Sequence, residues 1–322
     1  MRALRARAPA KLNLGLFIGP VRAGDGRHEL LSVMQSLSLA DELTLEPLAG
    51  AGEDELSCPG LAGPATENLA GRALAEFRRR TGWQEGPVRL RIEKRVPVAA
   101  GLAGGSADAA AALRLARAAS GLGDEELLAE IAAAIGADVP AQLSPGRWLA
   151  SGAGERLSAL APPDEPLAVL LLPDAGELST AAVYAEADRL GLPRTLEQIQ
   201  ALRGELERAL AGGRALPAER ALLANDLQPA ALSLRPHIAG ALEQALAAGA
   251  EHALLCGSGP TVAALFAGER CAERLAAAAA SLGARRPAPI ACAPVRAGFA
   301  APEEVDAPPG ASQSSAALKG QP

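Results

Sequence analysis

The chain has 322 residues, of which 49% are hydrophobic and 21% charged, a balance typical of globular rather than disordered proteins. Its formal net charge is −6 and no run of Lys or Arg stands out, which argues against a nucleic-acid-binding surface but not against small anionic ligands. The length suits about two domains.

The N-terminal part alternates apolar and polar residues in the manner of β-strands. Two strands are predicted, KLNLGLFIG and ELLSVMQSLSLADELTLEP, with the turn-rich stretch PVRAGDGRH between them. A helix is predicted in ATENLAGRALAEFRRRTG, with Thr66 or Asn68 at its start. The alternating stretch PVRLRIEKRVPV is the next predicted strand.

That strand leads into VPVAAGLAGGSADAAAALRLA at positions 96–116, whose helical part is predicted over residues 109–119. A second helix, in DEELLAEIAAAIGADVP, is expected to end near Gly136. The Pro-rich stretch ERLSALAPPDEP contains the first plausible domain boundary, because the buried strand LAVLLL begins directly after it.

The second half mixes helices and strands again. Apolar spacing predicts helices in STAAVYAEADRL, TLEQIQALRGELERAL and PHIAGALEQALAAGA, whereas HALLCGSGPTVAALFAG has the pattern strand, turn, strand. The end of the chain is rich in Pro, Ser and Gly and is predicted to be disordered. Strands and helices without strict β-α-β alternation predict the α+β class, with domains at 1–162 and 163–300 and a tail at 301–322.

The four cysteines are scattered, at Cys58, Cys256, Cys271 and Cys292. They form no CxxC pair and have no histidines at metal-ligand spacing, so structural zinc is not expected. The basic and then apolar N-terminus is interrupted by a lysine and an asparagine, and no run of about 18 uncharged apolar residues occurs. These features predict a protein of the reducing cytoplasm that has no membrane partner.

The glycine-rich stretch before the predicted helix has a specific chemistry. A glycine-rich loop that enters a helix gathers unpaired N–H groups at the positive end of the helix dipole, which is a site for anions such as phosphate. The stretch is not a Walker loop, because no GK[ST] follows, and Gly101, Gly104 and Gly105 do not have GxGxxG spacing. From these residues alone, a phosphate site and an ordinary tight turn are both open.

Three motifs in order resemble those of the GHMP small-molecule kinases: PAKLNL near the N-terminus, PxxxGLxxGSADAAA from Pro97, and GSGPT at 257–261. The stretches DGRHEL, GADVP and STAAVY are similar to those of the family member that phosphorylates a cytidine-diphosphate-linked methylerythritol. The resemblance runs from about residue 7 to 298. It implies a two-domain GHMP kinase fold, with a ribosomal-protein-S5-like N-terminal half and a ferredoxin-like C-terminal half.

The resemblance also implies a mechanism, in which ATP phosphorylates an alcohol. Asp138 in GADVP would accept the proton of the acceptor hydroxyl, and Lys11 beside it would offset the negative charge that develops in the transition state. Without the resemblance, Asp138 is equally well a carboxylate at a helix end, and Lys11 an exposed residue of a strand edge.

ATP is expected along the glycine-rich stretch, with its polyphosphate over Gly101–Ser106 and the Ser106 hydroxyl as one donor. Alanines stand here at three positions where relatives commonly have glycine, and Mg²⁺ is expected with the nucleotide, though its protein ligands are unknown. The implied ATP-binding residues are those of this stretch, together with Asn68 near the adenine: Pro97, Val98, Ala99, Ala100, Gly101, Leu102, Ala103, Gly104, Gly105, Ser106, Ala107 and Asn68.

The third motif, Gly257, Ser258 and Gly259, lies between two apolar runs. In isolation it is equally well an ordinary hairpin turn. The resemblance implies a turn that packs against the glycine-rich stretch and closes the site between the two domains. Its role would be structural support rather than chemistry.

The acceptor-binding residues implied by the resemblance are Asn13, Arg27, His28, Thr180 and Tyr184. His28 offers a ring nitrogen to a cytosine edge, and Tyr184 a flat face for stacking, although either residue could instead be structural. Relatives usually have tyrosine at the position of Arg27. A guanidinium can also stack on a base.

Three other functions are open from the sequence. The chain could be a GHMP kinase for homoserine, mevalonate or a sugar, which the DGRH and GADVP contexts speak against. It could be a ligand sensor of the same fold, which the presence of both Lys11 and Asp138 speaks against. A nucleotide-binding structural protein would explain the glycine-rich stretch but not GADVP.

Overall fold

The computed structural model describes residues 2–60, 67–211, 214 and 220–306, which form two sheets and the helices packed on them. The strands are β1 (Ala3–Val21), β2 (His28–Pro47), β3 (Glu55–Ser57), β4 (Val88–Glu93), β5 (Arg147–Gly152), β6 (Arg156–Ala159), β7 (Leu167–Leu172), β8 (His252–Leu255), β9 (Val262–Ala267), β10 (Ile290–Cys292) and β11 (Glu303–Val305). The α-helices are α1 (Leu69–Thr81), α2 (Gly104–Ser120), α3 (Glu125–Ile135), α4 (Val139–Leu143), α5 (Thr180–Arg189), α6 (Leu196–Leu210), α7 (Gln228–Leu234), α8 (Ile238–Ala247) and α9 (Cys271–Ser281).

The first sheet has the strand order β11-β1-β2-β4-β3, with β5 paired to β2 and β6 to β5. Its pairings are antiparallel except that of β3 with β4. Helices α1, α2 and α3 cover one face, where Phe77, Leu113 and Ile131 pack with Leu43 and Leu90 of the strands. The main stabilising contribution here is the burial of apolar surface, which contributes about 25 cal/mol for each Å² removed from water.

The second sheet is antiparallel, in the order β10-β7-β9-β8. Helices α5, α7, α8 and α9 pack against it in a core around Leu170 and Phe266. A further core joins the two sheets, with Phe17 and Leu31 from the first and Leu265 from the second. The predicted α+β class is confirmed, and the domain boundary at residue 162 stays a prediction. None of the described helices is long and apolar enough to span a membrane.

Helix ends agree with the sequence signals at α1 and α3. Asn68 is the N-cap of α1 and accepts a hydrogen bond from the Ala70 N–H at 2.9 Å, while Thr66 lies outside the described residues. Helix α3 ends at Ile135 with Gly136 as its C-cap, which agrees with the predicted end near Gly136. The predicted start of α2 at residue 109 is wrong, because the helix begins at Gly104. Glycine is tolerated there because the first turn has no intrahelical N–H bonds to lose.

Residues 293–305 form a C-terminal strap that returns from the second sheet to the first. The prediction of disorder from residue 301 onward is wrong for its first residues, because β11 pairs antiparallel with the start of β1. The acidic residues of β11 complement the basic residues of this edge of β1. Glu303 lies opposite Arg5 and accepts its hydrogen bond at 2.7 Å. Residues 307–322 lie outside the described residues.

Candidate active site

A cavity of about 520 Å³ lies between the two sheets. Three of the predicted site residues, Arg27, His28 and Ala107, are not part of its lining. The remaining predicted residues line it together: Lys11, Asn13, Asn68, Pro97, Val98, Ala99, Ala100, Gly101, Leu102, Ala103, Gly104, Gly105, Ser106, Asp138, Thr180, Tyr184, Gly257, Ser258 and Gly259.

The glycine-rich loop (residues 97–103) turns directly into α2. The first intrahelical bond of α2 runs from the Ala107 N–H to Ala103 O at 3.0 Å, so the N–H groups of the three residues before Ala107 are left for a ligand. Ala99 and Ala103 have φ of 52° and 54°, the left-handed region that favours glycine. A 17-residue helix whose first three residues line a cavity and have free N–H groups is suited to bind a phosphate chain.

Lys11 and Asp138, here called the Lys–Asp pair, meet in the same cavity. Their Nζ and Oδ2 atoms are 3.6 Å apart, and the lysine side chain is only 7% exposed. Lys11 Nζ also donates to Asn13 Oδ1 at 2.6 Å. Asn13 in turn donates to Ser32 Oγ at 2.7 Å, and that hydroxyl donates to Gly15 O at 2.8 Å. This chain of hydrogen bonds orients the ammonium toward the carboxylate.

Arg114 of α2 links the strand that carries Lys11 to the short helix α4 that follows Asp138. Its guanidinium donates to the carbonyl oxygens of Arg7 in β1 at 2.8 Å, of Gln142 in α4, and of Ala300 in the strap at 3.2 Å. Burial lowers the pKa of Arg114 to about 10, so it stays charged near neutral pH. Three elements are therefore held together by one cation that has no carboxylate partner among its hydrogen bonds in the described residues.

The GSG turn (Gly257–Gly259) packs against the glycine-rich loop. Gly101 has φ +77°, and a Cβ built on it would lie 1.8 Å from Cys256 O. Asn225 holds the other side of the turn, because its Nδ2 donates to Leu255 O at 2.9 Å and to Gly257 O at 2.7 Å. Loop and turn therefore touch backbone to backbone, and the second sheet positions the loop of the first.

Tyr184, which lines the cavity, forms a pair of rings with His28, which lies outside the lining. Their centroids are 5.3 Å apart and the rings are tilted by 32°. Both nitrogens of His28 face protein oxygens, with Nδ1 2.8 Å from Gly19 O and Nε2 3.3 Å from Asp188 Oδ1. Burial, and to a smaller extent the charge of Asp138, raises the pKa of Tyr184 to about 12. Tyr184 thus stays a neutral phenol next to the carboxylate.

Two other predicted acceptor residues differ in their surroundings. Thr180 begins α5, and its hydroxyl shares a hydrogen bond of 2.9 Å with Ser258 Oγ of the GSG turn. Arg27 lies in the exposed turn between β1 and β2, where its Nε donates to Asp25 Oδ2 at 3.0 Å. The structure therefore brings Thr180 to the cavity, while the contact of Arg27 with an acceptor stays a prediction.

Sequence reasoning missed several residues that shape the site. Ser32, Arg114 and Asn225 each make the contacts described above, and Lys94 lines the cavity with Asp108. The only local signal was a polar residue within an apolar run, as in the apolar stretches around Ser32 and Arg114. Such a residue indicates a buried polar contact but does not identify its partner.

Comparison with known proteins gives two family models that match this chain. The GHMP kinases N terminal domain matches residues 68–146, and the GHMP kinases C terminal model matches residues 201–285. A 4-diphosphocytidyl-2-C-methyl-D-erythritol kinase of Salinispora tropica is 41% identical over 309 residues, which cover 91% of this chain and 92% of the relative. The protein of the same name from Thermobifida fusca is 43% identical over 87% of this chain and 92% of its own length.

Solved structures show the same similarity. The crystal structure of a 4-(cytidine 5'-diphospho)-2C-methyl-D-erythritol kinase has a TM-score of 0.69 and 33% identity, and covers 91% of this chain and 99% of its own. Homoserine kinase from Cytophaga hutchinsonii has a TM-score of 0.73 and 18% identity, and covers 95% of this chain and 98% of its own. At that identity the second likeness shows the fold alone.

Proposed function

The chain belongs to the GHMP kinases, and on that premise we propose that it transfers the γ-phosphoryl group of ATP to the 2-hydroxyl of 4-diphosphocytidyl-2-C-methyl-D-erythritol. The products are the 2-phosphate and ADP, for use in isoprenoid precursor synthesis. The observation that carries the proposal is the level of identity, 41–43% over most of the chain, to relatives with that kinase name. The family resemblance predicted from the three motifs is confirmed.

The geometry of the cavity supports this reaction. The free N–H groups at the start of α2 and the Ser106 hydroxyl would hold the polyphosphate, which directs the γ-phosphate toward the Lys–Asp pair. Asn68 lines the same cavity, but its Oδ1 is already used as the N-cap of α1. Only its Nδ2 and its backbone are left to approach an adenine.

The proposed chemical step uses the Lys–Asp pair directly. The acceptor oxygen forms a bond to the γ-phosphorus while the bond from that phosphorus to the β-γ bridging oxygen breaks, and ADP leaves. The hydroxyl proton passes to the Asp138 carboxylate, which is 38% exposed at the cavity and thus accessible to the acceptor. Lys11 Nζ, fixed by Asn13, stabilises the negative charge on the transferring group.

Mg²⁺ is proposed to enter with ATP. No group of three or more His, Cys, Asp or Glu side chains that could hold a metal ion occurs in the described part of the chain. The described residues thus do not build a protein cage for the ion. Mg²⁺ commonly keeps several waters and binds substrate phosphates with one or two protein ligands. When bound, it would neutralise charge on the β- and γ-phosphates.

We propose the cytoplasm as the location, since all four cysteines are free thiols and Cys256, Cys271 and Cys292 are buried without pairing.

The acceptor is tested by ADP release with MgATP and four alcohols: 4-diphosphocytidyl-2-C-methyl-D-erythritol, homoserine, mevalonate and galactose. We expect turnover with the first alone. Turnover with another alcohol would overturn the acceptor and retain the kinase. No turnover with any of them, while ATP still binds, would favour the ligand sensor of the same fold.

Tyr184 provides a test of cytosine stacking. We expect Tyr184→Leu to raise KM for the cytidine-containing acceptor by roughly 10- to 100-fold, because base–aromatic stacking contributes about 1–3 kcal/mol. Tyr184→Phe keeps the ring and should change this KM less than about threefold. KM for ATP should stay constant in both variants. Initial-rate kinetics check the prediction, and an unchanged acceptor KM in Tyr184→Leu would contradict it.

A further inference from the structure

Behind the glycine-rich loop lies a buried group of charges, the Lys94 cluster (Asp41, Lys94 and Asp108). Lys94 Nζ donates to Asp108 Oδ2 at 2.7 Å and also to Asp41 Oδ2. Asp41 is fully buried, and its Oδ1 accepts the backbone N–H groups of Arg95 and Val96. Asp108 is 4% exposed, and its Oδ1 has no hydrogen-bond partner among the described residues. One ammonium is thus shared by two carboxylates.

The charges of the Lys94 cluster do not cancel. Two carboxylates and one ammonium leave one excess negative charge. Among the described residues, Cys58 also faces the cluster, and its pKa is raised by burial and by Asp108, so that it stays a neutral thiol. Burial disfavours the Lys94 ammonium, but the two carboxylates outweigh burial and raise the pKa of Lys94. The lysine therefore stays charged.

An added proton has one clear place in this cluster. Asp41 uses both carboxylate oxygens to accept N–H groups, whereas Oδ1 of Asp108 is free. Burial, with the charge of Asp41 and against that of Lys94, raises the pKa of Asp108 to about 7. A small change in the local field is therefore enough to change its protonation near neutral pH.

The proposed nucleotide site supplies such a change. Asp108 follows the first turn of α2, and both Asp108 and Lys94 line the cavity that contains the free N–H groups of that helix. A polyphosphate bound there would bring several negative charges close to the Lys94 cluster, which already has one excess negative charge. Repulsion between like charges is large in a partly dehydrated site.

We propose that Asp108 couples protonation to nucleotide binding: its carboxylate takes up a proton from solvent when the polyphosphate binds. The inference rests on ATP binding in the proposed function and is independent of which alcohol is the acceptor. The proton is accounted for at Asp108 alone: above pH 7 the free protein has mainly a carboxylate there, and the nucleotide complex has a carboxylic acid. In the complex, Lys94 remains the ion-pair partner of Asp41 and donates a hydrogen bond to the neutral acid of Asp108.

The direction of the pH dependence follows. Above pH 7 Asp108 of the free protein is deprotonated, whereas the ATP complex has a proton there. ATP binding must therefore take a proton from solvent, so ATP affinity falls as pH rises, by up to about tenfold per pH unit for one proton. Asp108→Asn is neutral at every pH. We expect this variant to bind ATP more tightly than the wild type at pH 8, and with little change in affinity between pH 7 and 8.5.

The experiment is isothermal titration calorimetry of ATP, with Mg²⁺ and with EDTA, in two buffers of different ionisation enthalpy. At pH 8 the terminal phosphate, which titrates near pH 6, is already ionised, so proton uptake by the wild type must come from the protein. We expect uptake of most of one proton in the wild type and much less in Asp108→Asn. The matched control is Asp124→Asn at the N-cap of α3, where asparagine caps equally well and uptake should equal that of the wild type.

Each result decides between the proposals. Equal uptake in the wild type and Asp108→Asn, or no uptake by the wild type at pH 8, would overturn the role of Asp108 and leave the kinase intact. The wild-type measurement decides alone if Asp108→Asn does not fold. Absence of ATP binding by the wild type would contradict the proposed function itself.

Discussion

Asp138→Asn should lower kcat by about two to four orders of magnitude, because asparagine keeps the size of the side chain but cannot accept the hydroxyl proton. Lys11→Ala should have a similar effect, since it removes the cation 3.6 Å from that carboxylate and leaves Asn13 without its donor. The measurement is single-turnover phosphorylation of the acceptor at saturating MgATP. Because the two residues act as a unit, the double variant should lose little more than either single variant.

Two controls separate chemistry from folding in these variants. Calorimetric binding of ATP should persist in Asp138→Asn, because the carboxylate is not expected to contact the polyphosphate. Asp124→Asn, which changes an exposed carboxylate outside the cavity lining, should have wild-type kcat. If Asp138→Asn or Lys11→Ala kept kcat within about tenfold of the wild type, a loss of only about 1.4 kcal/mol, the assignment of the Lys–Asp pair would fail.

Gly101→Ala should destabilise the protein by at least about 2 kcal/mol and raise KM for ATP. The added Cβ would lie 1.8 Å from the carbonyl oxygen and 2.8 Å from the carbonyl carbon of Cys256. These are backbone atoms that cannot rotate away, and φ at Gly101 is +77°, which is strained for alanine. The contact between the glycine-rich loop and the GSG turn must therefore open. Urea denaturation and initial rates at varied ATP measure the two effects.

The matched control is Gly204→Ala in the middle of α6. A Cβ there meets nothing within 4 Å, so the change should stabilise the helix by up to about 1 kcal/mol. The same substitution thus has opposite signs at the two positions. Wild-type stability and ATP KM in Gly101→Ala would mean that loop and turn do not depend on this contact.

Most of the secondary structure could be predicted from the sequence because its signals are local. The alternation in β1 and β2 and the Asn68 cap of α1 lie within the elements they define. The site was predicted in the same way, from three short motifs that the fold brings into one cavity. Each motif contains its own chemical groups, such as Lys11 in the first and the glycines at the start of α2 in the second.

The Lys94 cluster could not be predicted, because its members come from different elements. Asp41 lies on β2, Lys94 follows β4 and Asp108 is in α2, and nothing in the sequence spacing indicates that one lysine serves two carboxylates. The strap was missed for a related reason. The short polar stretch at 303–305 is a strand only because β1 offers an unpaired edge with basic side chains. Strand β6 was not predicted either, because it lies in the stretch ERLSALAPPDEP that was interpreted as a domain boundary, and it is a strand through its pairing with β5.

The pairing of β11 with β1 sets an order for biosynthesis. Ala3 lies opposite Val305 and Arg5 opposite Glu303, so the outer edge of the first residues of β1 lacks this partner strand until nearly the whole described chain has been made. About 280 residues separate the two strands, which at 5–20 residues per second corresponds to roughly 15–60 s on the ribosome. During that time β1 offers unpaired N–H and C=O groups, a template for pairing with another nascent chain. The arginines at positions 5 and 7 place positive charge along this edge, and charged side chains hinder such pairing until the acidic strand arrives.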